Sequence, residues 1–394
     1  MTREPSVRLF DLEDASDTVA SALPVLDALA RSRSLPIGWI HAEARDGGVA
    51  TERLRQQAVL AYPARVVRSA IRDSLAGAWA APQAPVSVVI CTRDRPDRLA
   101  RCLRAVTSLD YPVYEVLVVD NAPRDDATKK LAAGFGVRYV VEPVPGLDHA
   151  RNRGIAESVH DLIAFTDDDT RPDPLWLRHI ARAFTVPDVM AVTGLVVPLC
   201  LETEAERLFE FSYGGMVQAL DRRTARGRDL SGWDLLWSSA YGAGANMAFR
   251  RQVLESVGGF DPRLDVGTPA GGGGDLDMFH RVLANGHTLV YEPAAIVQHE
   301  HRTDMRALRR QLFDNGRGFC VYLMTCARNR TVPPRLILDF ALRAWLRGWV
   351  LRRLFRPSGF PRRLVVAELL GTLSAPYYYL ASRRSRGRTS ARSG

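Results

Sequence analysis

Cysteine is scarce in this chain, and its placement is uninformative for structure. Cys91, Cys102, Cys200, Cys320 and Cys326 are scattered, odd in number and never spaced C-x-x-C. That pattern excludes a zinc knuckle or a disulfide framework and fits reduced thiols in a cytoplasm. The charged stretch Met1–Asp17 lacks an apolar core segment, so no secretory signal is expected. No Gly-x-Gly-x-x-Gly follows the first strand of the central region, and no Gly-Lys-Ser/Thr loop occurs, which argues against a dinucleotide fold and a P-loop. Acidic residues are nearly missing from the C-terminal part. From Arg302 on there are 20 arginines and 4 acids, a local charge of +16 within a chain of net +9, leaving −7 on residues 1–301. An acidic body suits metal and catalysis; a basic tail suits an anionic partner.

What is present divides along the chain. Residues 1–80 read as a small α+β module, with strands at 7–10 and 36–40, a turn at Asp46-Gly47-Gly48 and a helix over 51–62. Residues 80–85 read as a linker. Short apolar runs at 86–91, 114–119, 137–141 and 162–166 then alternate with helices at 96–109 and 149–159. Strand–helix repeats with short connections predict an α/β fold, a mainly parallel sheet with helices on both faces. Further on, Gly271 to Gly274 directly precede Asp275-Leu276-Asp277, and a glycine run of this kind is expected as a mobile loop at a site.

Chemistry gathers where these strands end. The first ends in Thr92-Arg93-Asp94, the second in Asp120-Asn121 and the fourth in Asp167-Asp168-Asp169. In open α/β sheets ligands sit beyond the carboxyl ends of the strands, so these residues predict one cleft. Three successive carboxylates repel one another unless a cation sits among them, and Arg171 is the only cation close in sequence. A divalent metal carrying a diphosphate answers that need; a solvated acidic turn that starts the next helix is the alternative.

Several motifs in fixed order resemble glycosyltransferase family 2. They are Thr92-Arg93-Asp94-Arg95-Pro96, Val118-Val119-Asp120-Asn121, the stretch Gly146 to Gly154 reading GLDHARNRG, and Phe165-Thr166-Asp167-Asp168-Asp169. Gly244-Ala245-Asn246-Met247-Ala248, Gly258-Gly259-Phe260-Asp261 and Gly273-Gly274-Asp275-Leu276-Asp277 continue the resemblance over roughly 85–300. It implies a GT-A fold, Rossmann-like, over 85–301, and a nucleotide-diphosphate sugar as donor. Asp120 would then accept a hydrogen bond from the base or ribose, unless it is a turn or cap residue. Thr92 and Arg93 would line the nucleoside pocket, and Arg151 would reach the nucleotide unless it is a surface arginine. Asp167 and Asp169 would form the metal-and-donor motif for Mn2+ or Mg2+, with Asp168 on the donor side or merely beginning the turn. His299 would complete the metal site, with His301 the weaker choice. Asp275 would be the base that deprotonates a hydroxyl acceptor, with Asp277 the second choice. The family's glutamate before that aspartate is replaced by Gly274.

The implied reaction is an inverting, metal-dependent sugar transfer to a hydroxyl of a glycan, glycolipid or secondary metabolite. A non-catalytic nucleotide-sugar-binding protein of the same fold and a nucleotidyltransferase are the alternatives. Residues 302–382 are expected as basic helices. The one opened by Pro333-Pro334 places Ile337, Phe340, Ala344, Leu351 and Phe355 on one face, with Arg335 and Arg353 opposite. This pattern fits a membrane interface or a helix packed on the body. Leu364 to Ser382 is borderline for a span, interrupted by Gly371 and Pro376, and reads as interfacial or re-entrant. Residues 383–394 are expected as a disordered basic tail. Together these features place the chain in the cytoplasm, peripheral on the inner face of the cell membrane beside anionic lipid. No motif for reading nucleic acid accompanies the charge.

Overall fold

The computed structural model describes residues 4–76, 84–216, 219–355 and 359–384. Most of the linker expected at 80–85, and the basic tail beyond 384, lie outside the described residues.

The N-terminal region contains β1 (Val7–Asp11), β2 (Thr18–Ala20), β3 (Val25–Ser32), β4 (Leu35–Glu43) and β5 (Gly48–Ala50), followed by helices Thr51–Ala61 and Pro63–Ala76. β3 lies between β1 and β4, parallel to the first and antiparallel to the second. Sequence pattern pointed to β1 and β4 but not to β3, because Asp27 and Arg31 interrupt its apolar run. Both charges are matched in the fold. Asp27 meets His41 at 2.5 Å and Arg207 at 2.6 Å, while Arg31 pairs with Asp11 at 2.7 Å and with Asp173. Phe10, Leu26, Ile40 and Leu54 give this region its own core. Leu29 and Trp39 pack instead with Leu195, Tyr291 and Ile296 of the main body.

The main sheet comprises β6 (Val86–Thr92), β7 (Tyr114–Asn121), β8 (Arg138–Glu142), β9 (Leu162–Asp167), β10 (Thr170–Pro172), β11 (Val189–Pro198), β12 (Arg223–Arg226), β13 (Asn246–Arg250) and β14 (Thr288–His299). Their order is β10-β14-β11-β13-β9-β6-β7-β8, with β12 on β14. The strands β9-β6-β7-β8 form the parallel run that the alternating pattern predicts. β13 runs antiparallel to both β9 and β11 and joins this run to the other half. The chain leaves β6 for β7 on one side and returns to β9 on the other, a switch point that opens a crevice at the strand ends. Leu99, Leu103, Trp176 and Ile180 fill one face of the sheet; Ala150, Phe249, Met278 and Phe279 fill the other.

Three helical segments close the C-terminal side. Helix Met305–Asn329 is followed by a continuous helix made of Pro334–Asp339, a π-helical stretch Phe340–Leu351 and Arg352–Phe355, and then by helix Arg362–Arg384. The expected amphipathic face is only partly right. Ile337 and Phe340 are buried against Leu236 and Tyr322, but Phe355 is exposed. Arg353, expected on the polar side, stacks on Trp349 at 3.5 Å and donates to the Tyr213 carbonyl at 2.7 Å. The wider i→i+5 winding between Phe340 and Leu351 explains the error, since it shifts the phase on which a 3.6-residue wheel depends.

Helix Arg362–Arg384 is long and apolar enough to cross a membrane by length and composition, and a third of its most apolar window is buried in the protein. Leu364, Val365, Glu368 and Ala375 face inward, while Val366, Leu370, Leu373, Tyr377 and Leu380 form an exposed stripe. It crosses helix Met305–Asn329 at two glycines. A Cβ on Gly316 would strike the Glu368 carbonyl, and one on Gly371 the Phe313 carbonyl. Gly371→Ala should therefore cost about 1–3 kcal/mol of stability through overpacking, read as a lower urea midpoint. An unchanged midpoint would show that the two helices do not approach so closely.

Candidate active site

Strand register places the first site residues side by side. Thr92 on β6 is opposite Asp120 on β7, and Cys91 is opposite Asp167 on β9. Asp120 lies within its strand, and the N-cap position of the next helix is Asp126, so the capping alternative does not apply. Asp120 is fully buried. Its Oδ2 accepts the Tyr139 hydroxyl at 2.9 Å, and its Oδ1 has no hydrogen-bond partner among the described residues. Burial pushes its pKa up. Arg93 is half-exposed, with Asp94 at 4.0 Å.

The aspartate triplet divides in three directions. Asp167 lines the cleft. Asp168 turns beneath it, accepting the Thr92 hydroxyl at 2.7 Å and Arg95 at 3.3 Å. Thr92 and Asp168, both expected to touch the donor, thus satisfy each other. Asp169 receives Arg98 at 2.9 Å and lies 3.3 Å from His299 Nε2. One ligand atom each from Asp167, Asp169 and His299 lies within 4.8 Å of the others. His301 is not part of this group; it pairs at 3.0 Å with buried Glu210.

Electrostatics separate the same residues. Burial and the neighbouring Asp169 push Asp167 up to about 7 and Asp168 up to about 6. Burial opposes ionisation of Asp169 too, but neighbouring cationic groups hold it below the usual range. His299 is itself pushed down to about 4 by burial, so it is cationic only in the acid range where Asp169 titrates; there it acts with the permanent charges of Arg98 and Arg95 to favour the carboxylate. Arg171 was the one cation that sequence proximity offered, whereas the fold supplies Arg95 and Arg98 from 70 residues away.

Asp275 sits in the first turn of helix Gly274–Ala284. Its Oδ2 accepts the Gly244 N–H and its Oδ1 the Leu276 N–H, both at 2.8 Å. It lines the same cleft of about 580 Å³ as Asp167. Burial and the nearby Asp265 raise its pKa. Asp277 is buried on the other side of the helix, paired with Arg281 at 2.7 Å, and does not line the cleft. The glycine run before them packs closely at Gly271, Gly273 and Gly274. Gly273 has φ +94°, and a Cβ there would lie 2.8 Å from the Gly318 carbonyl. Glycine is needed for this approach of loop to helix.

Arg151 is buried, so the surface alternative does not apply. Its Nη1 donates to Asp148 at 2.9 Å and to Asp265, and the guanidinium lies over the Phe260 ring at 5.2 Å. The side chain also lines the cleft. Asp265 holds φ +66°, a costly conformation for a non-glycine residue. Asp148 is buried with Oδ2 unpartnered among the described residues, and that oxygen occupies the space a side chain on Gly274 would need. A side chain at position 274 would therefore collide with the Asp148 carboxylate, which lies beside it.

The model of the family described as "Glycosyl transferase family 2" matches residues 87–258. Glycosyltransferase AglE of Haloferax volcanii is 30% identical over 243 residues, covering 59% of this chain and 72% of that protein. The chain belongs to glycosyltransferase family 2. The pre-mycofactocin glycosyltransferase of Mycobacterium tuberculosis is 28% identical over 290 residues, and the match spans 73% of this chain but only 56% of that relative. Among solved structures, a mannosyltransferase from Pyrobaculum calidifontis in complex with GDP-Man and Mn2+ superposes with a TM-score of 0.50 at 17% identity, over 82% of this chain and 96% of that one. That likeness is one of fold. The fold is GT-A, and the enzyme class is glycosyltransferase.

Within this glycosyltransferase, Tyr139, Arg95, Arg98, Asp148 and Asp265 are site residues that sequence reading passed over. Only Asp148 carried a signal, a carboxylate one helical turn before Arg151. Arg151→Met should destabilise the protein by about 3–5 kcal/mol, because it leaves buried carboxylates without their cation. Denaturant unfolding measures this; a loss under about 0.5 kcal/mol, the size of an ordinary surface change, would contradict the buried ion pairs.

Proposed function

We propose that this chain is an inverting, metal-dependent glycosyltransferase that moves a sugar from a nucleotide-diphosphate donor to an acceptor hydroxyl. The observation that carries this reading is that Asp275 lines the same cleft as Asp167, a member of the close Asp167–Asp169–His299 group. Two carboxylates and a neutral imidazole suit Mn2+ better than Mg2+. The raised carboxyl of Asp167 and the low affinity of His299 for protons are what a site built for a cation would show. When bound, such an ion would neutralise charge developing on the leaving diphosphate.

The chain's own residues do the rest. Asp120 would accept an N–H or O–H of the nucleoside, with Arg93 following the neighbouring strand end. Thr92 and Asp168 hold each other, and Arg151 holds Asp148 and Asp265 while lining the cleft on the donor side. Asp275 takes the proton of the acceptor hydroxyl. The new bond forms to the anomeric carbon as the bond to the diphosphate breaks on the opposite face, which inverts that centre. A carboxylate with a raised pKa is the stronger base for this step. Gly274 was the one feature favouring a non-catalytic relative; the Asp148 carboxylate beside it weakens that support.

We also place the protein peripherally on the inner face of the membrane. The exposed stripe Val366–Leu370–Leu373–Tyr377–Leu380 lies in a C-terminal part with a surplus of 16 positive charges, a combination suited to anionic lipid. The acceptor would be a glycan, glycolipid or secondary metabolite.

The Asp275→Asn variant should lose transfer by roughly 10²–10⁴-fold while binding donor and Mn2+ as the parent does, measured by product formation and calorimetry. Donor binding lost in parallel with transfer would remove Asp275 from the role of base.

A further inference from the structure

Past Asp275 the cleft continues toward the C-terminal helices, whose Phe319, Trp345, Trp349 and Glu368 lie outside the stretch that matches the family model. There it is walled by Tyr213, Trp237, Phe319, Trp345 and Trp349. Glu368 from helix Arg362–Arg384 lines the same space although it is 4% exposed. Its Oε1 accepts the Tyr213 hydroxyl at 3.1 Å and the Trp349 Nε1–H at 3.0 Å, while Oε2 is buried with no hydrogen-bond partner among the described residues. A buried carboxylate oxygen without a donor is costly, and a ligand hydroxyl would supply that donor.

The charge of the lining is one-sided. Asp167, Asp265, Asp275, Asp314 and Glu368 line the cleft with Arg151 the only cation among its described lining residues; Asp265 and Asp314 are ion-paired, so the excess negative charge rests on Asp167, Asp275 and Glu368. Arg151 is held by Asp148 and Asp265. Two further arginines lie near the walls but are committed elsewhere. Arg353 stacks behind Trp349, and Arg317 is bound by Asp314 at 2.8 Å and the Ala270 carbonyl at 3.0 Å.

We infer that this chamber is the acceptor subsite and that it takes a neutral glycoside, whose ring lies against the tryptophan wall and one of whose hydroxyls donates to Glu368. The inference rests on the glycosyltransferase reading above and narrows its acceptor. Flat amphipathic rings and a few placed polar groups select a polyhydroxylated ring. The acidic lining rejects an acceptor that carries a phosphate or carboxylate near its reacting hydroxyl, because like charges in a poorly solvated cleft repel. The metal group with Arg95 and Arg98 accommodates the donor's negative charge at the other end.

Tryptophan fluorescence tests this with methyl and phenyl glycosides of common hexoses against the matching hexose phosphates and uronates, in Mn2+ and nucleoside diphosphate. A neutral glycoside should give a saturating change, with its anionic counterpart binding at least about tenfold more weakly. Glu368→Gln should weaken the neutral ligand about tenfold or more, and the Asp314→Asn/Glu368→Gln double variant should narrow the gap between neutral and anionic ligands. Equal or tighter binding of the anionic ligand overturns the inference, as does the absence of saturation by every neutral glycoside. If Glu368→Gln does not fold, the wild-type preference alone decides. Failure of the wild type to bind any nucleotide sugar with Mn2+ would instead refute the glycosyltransferase reading, whereas intact donor binding with an anionic preference refutes only the acceptor.

Discussion

Asp148, Asp167, Asp168, Asp169, Asp265 and Asp275 converge on one edge of the main sheet, and keeping them together is the constraint around which the site is organised. Buried carboxylates at this density repel one another and lose hydration. The fold answers with guanidinium groups assigned one by one: Arg95 to Asp168, Arg98 to Asp169, and Arg151 shared by Asp148 and Asp265. No ion pair among the described residues links Asp167 or Asp275 to a protein cation, and both line the cleft. The two carboxylates left uncompensated are those to which donor binding and proton transfer are assigned.

Packing around this edge serves the same end. Asp275 is held by two backbone N–H groups, one from Gly244 and one from its own helix start. Gly273 and Gly274 have no side chains, so the loop lies close to Gly318 and leaves room for the Asp148 carboxylate. The N-terminal region braces the far side through Arg31 and Asp173 and through hydrogen-bonded Ser34 and His179. The C-terminal helices add the aromatic wall and, through close contacts at Gly316 and Gly371, hold Glu368 over it.

Much of this was legible in the sequence. Apolar runs ending in Thr92, Asp120 and Asp167 gave the parallel strands and their shared edge, because strand ends in such a sheet face one crevice whatever their helices do. His299 was legible only through family resemblance; the structure brings it to Asp169 from the far end of β14. Spacing could not separate Asp275 from Asp277, and the choice between them needed the Arg281 pair one helical turn on. What stayed hidden depends on contacts remote in sequence. β3 carries charges whose partners lie on other elements. The bond from Arg151 to Asp265 could not be read from the sequence because Asp265 is 114 residues away. The closeness of the Asp148 carboxylate to position 274 appears in no local pattern. The place of Arg353 follows from a π-helical winding that a standard wheel does not represent.

We propose that the uncompensated edge holds one divalent cation together with the donor diphosphate. Electron paramagnetic resonance of Mn2+ titrated into the protein with a nucleoside diphosphate tests it most directly. One tightly bound Mn2+ per chain is expected, weakened by about 10–100-fold or more when Asp169 is changed to Asn. Mn2+ that stays free in the presence of the nucleotide, or binds equally well to Asp169→Asn, would contradict it.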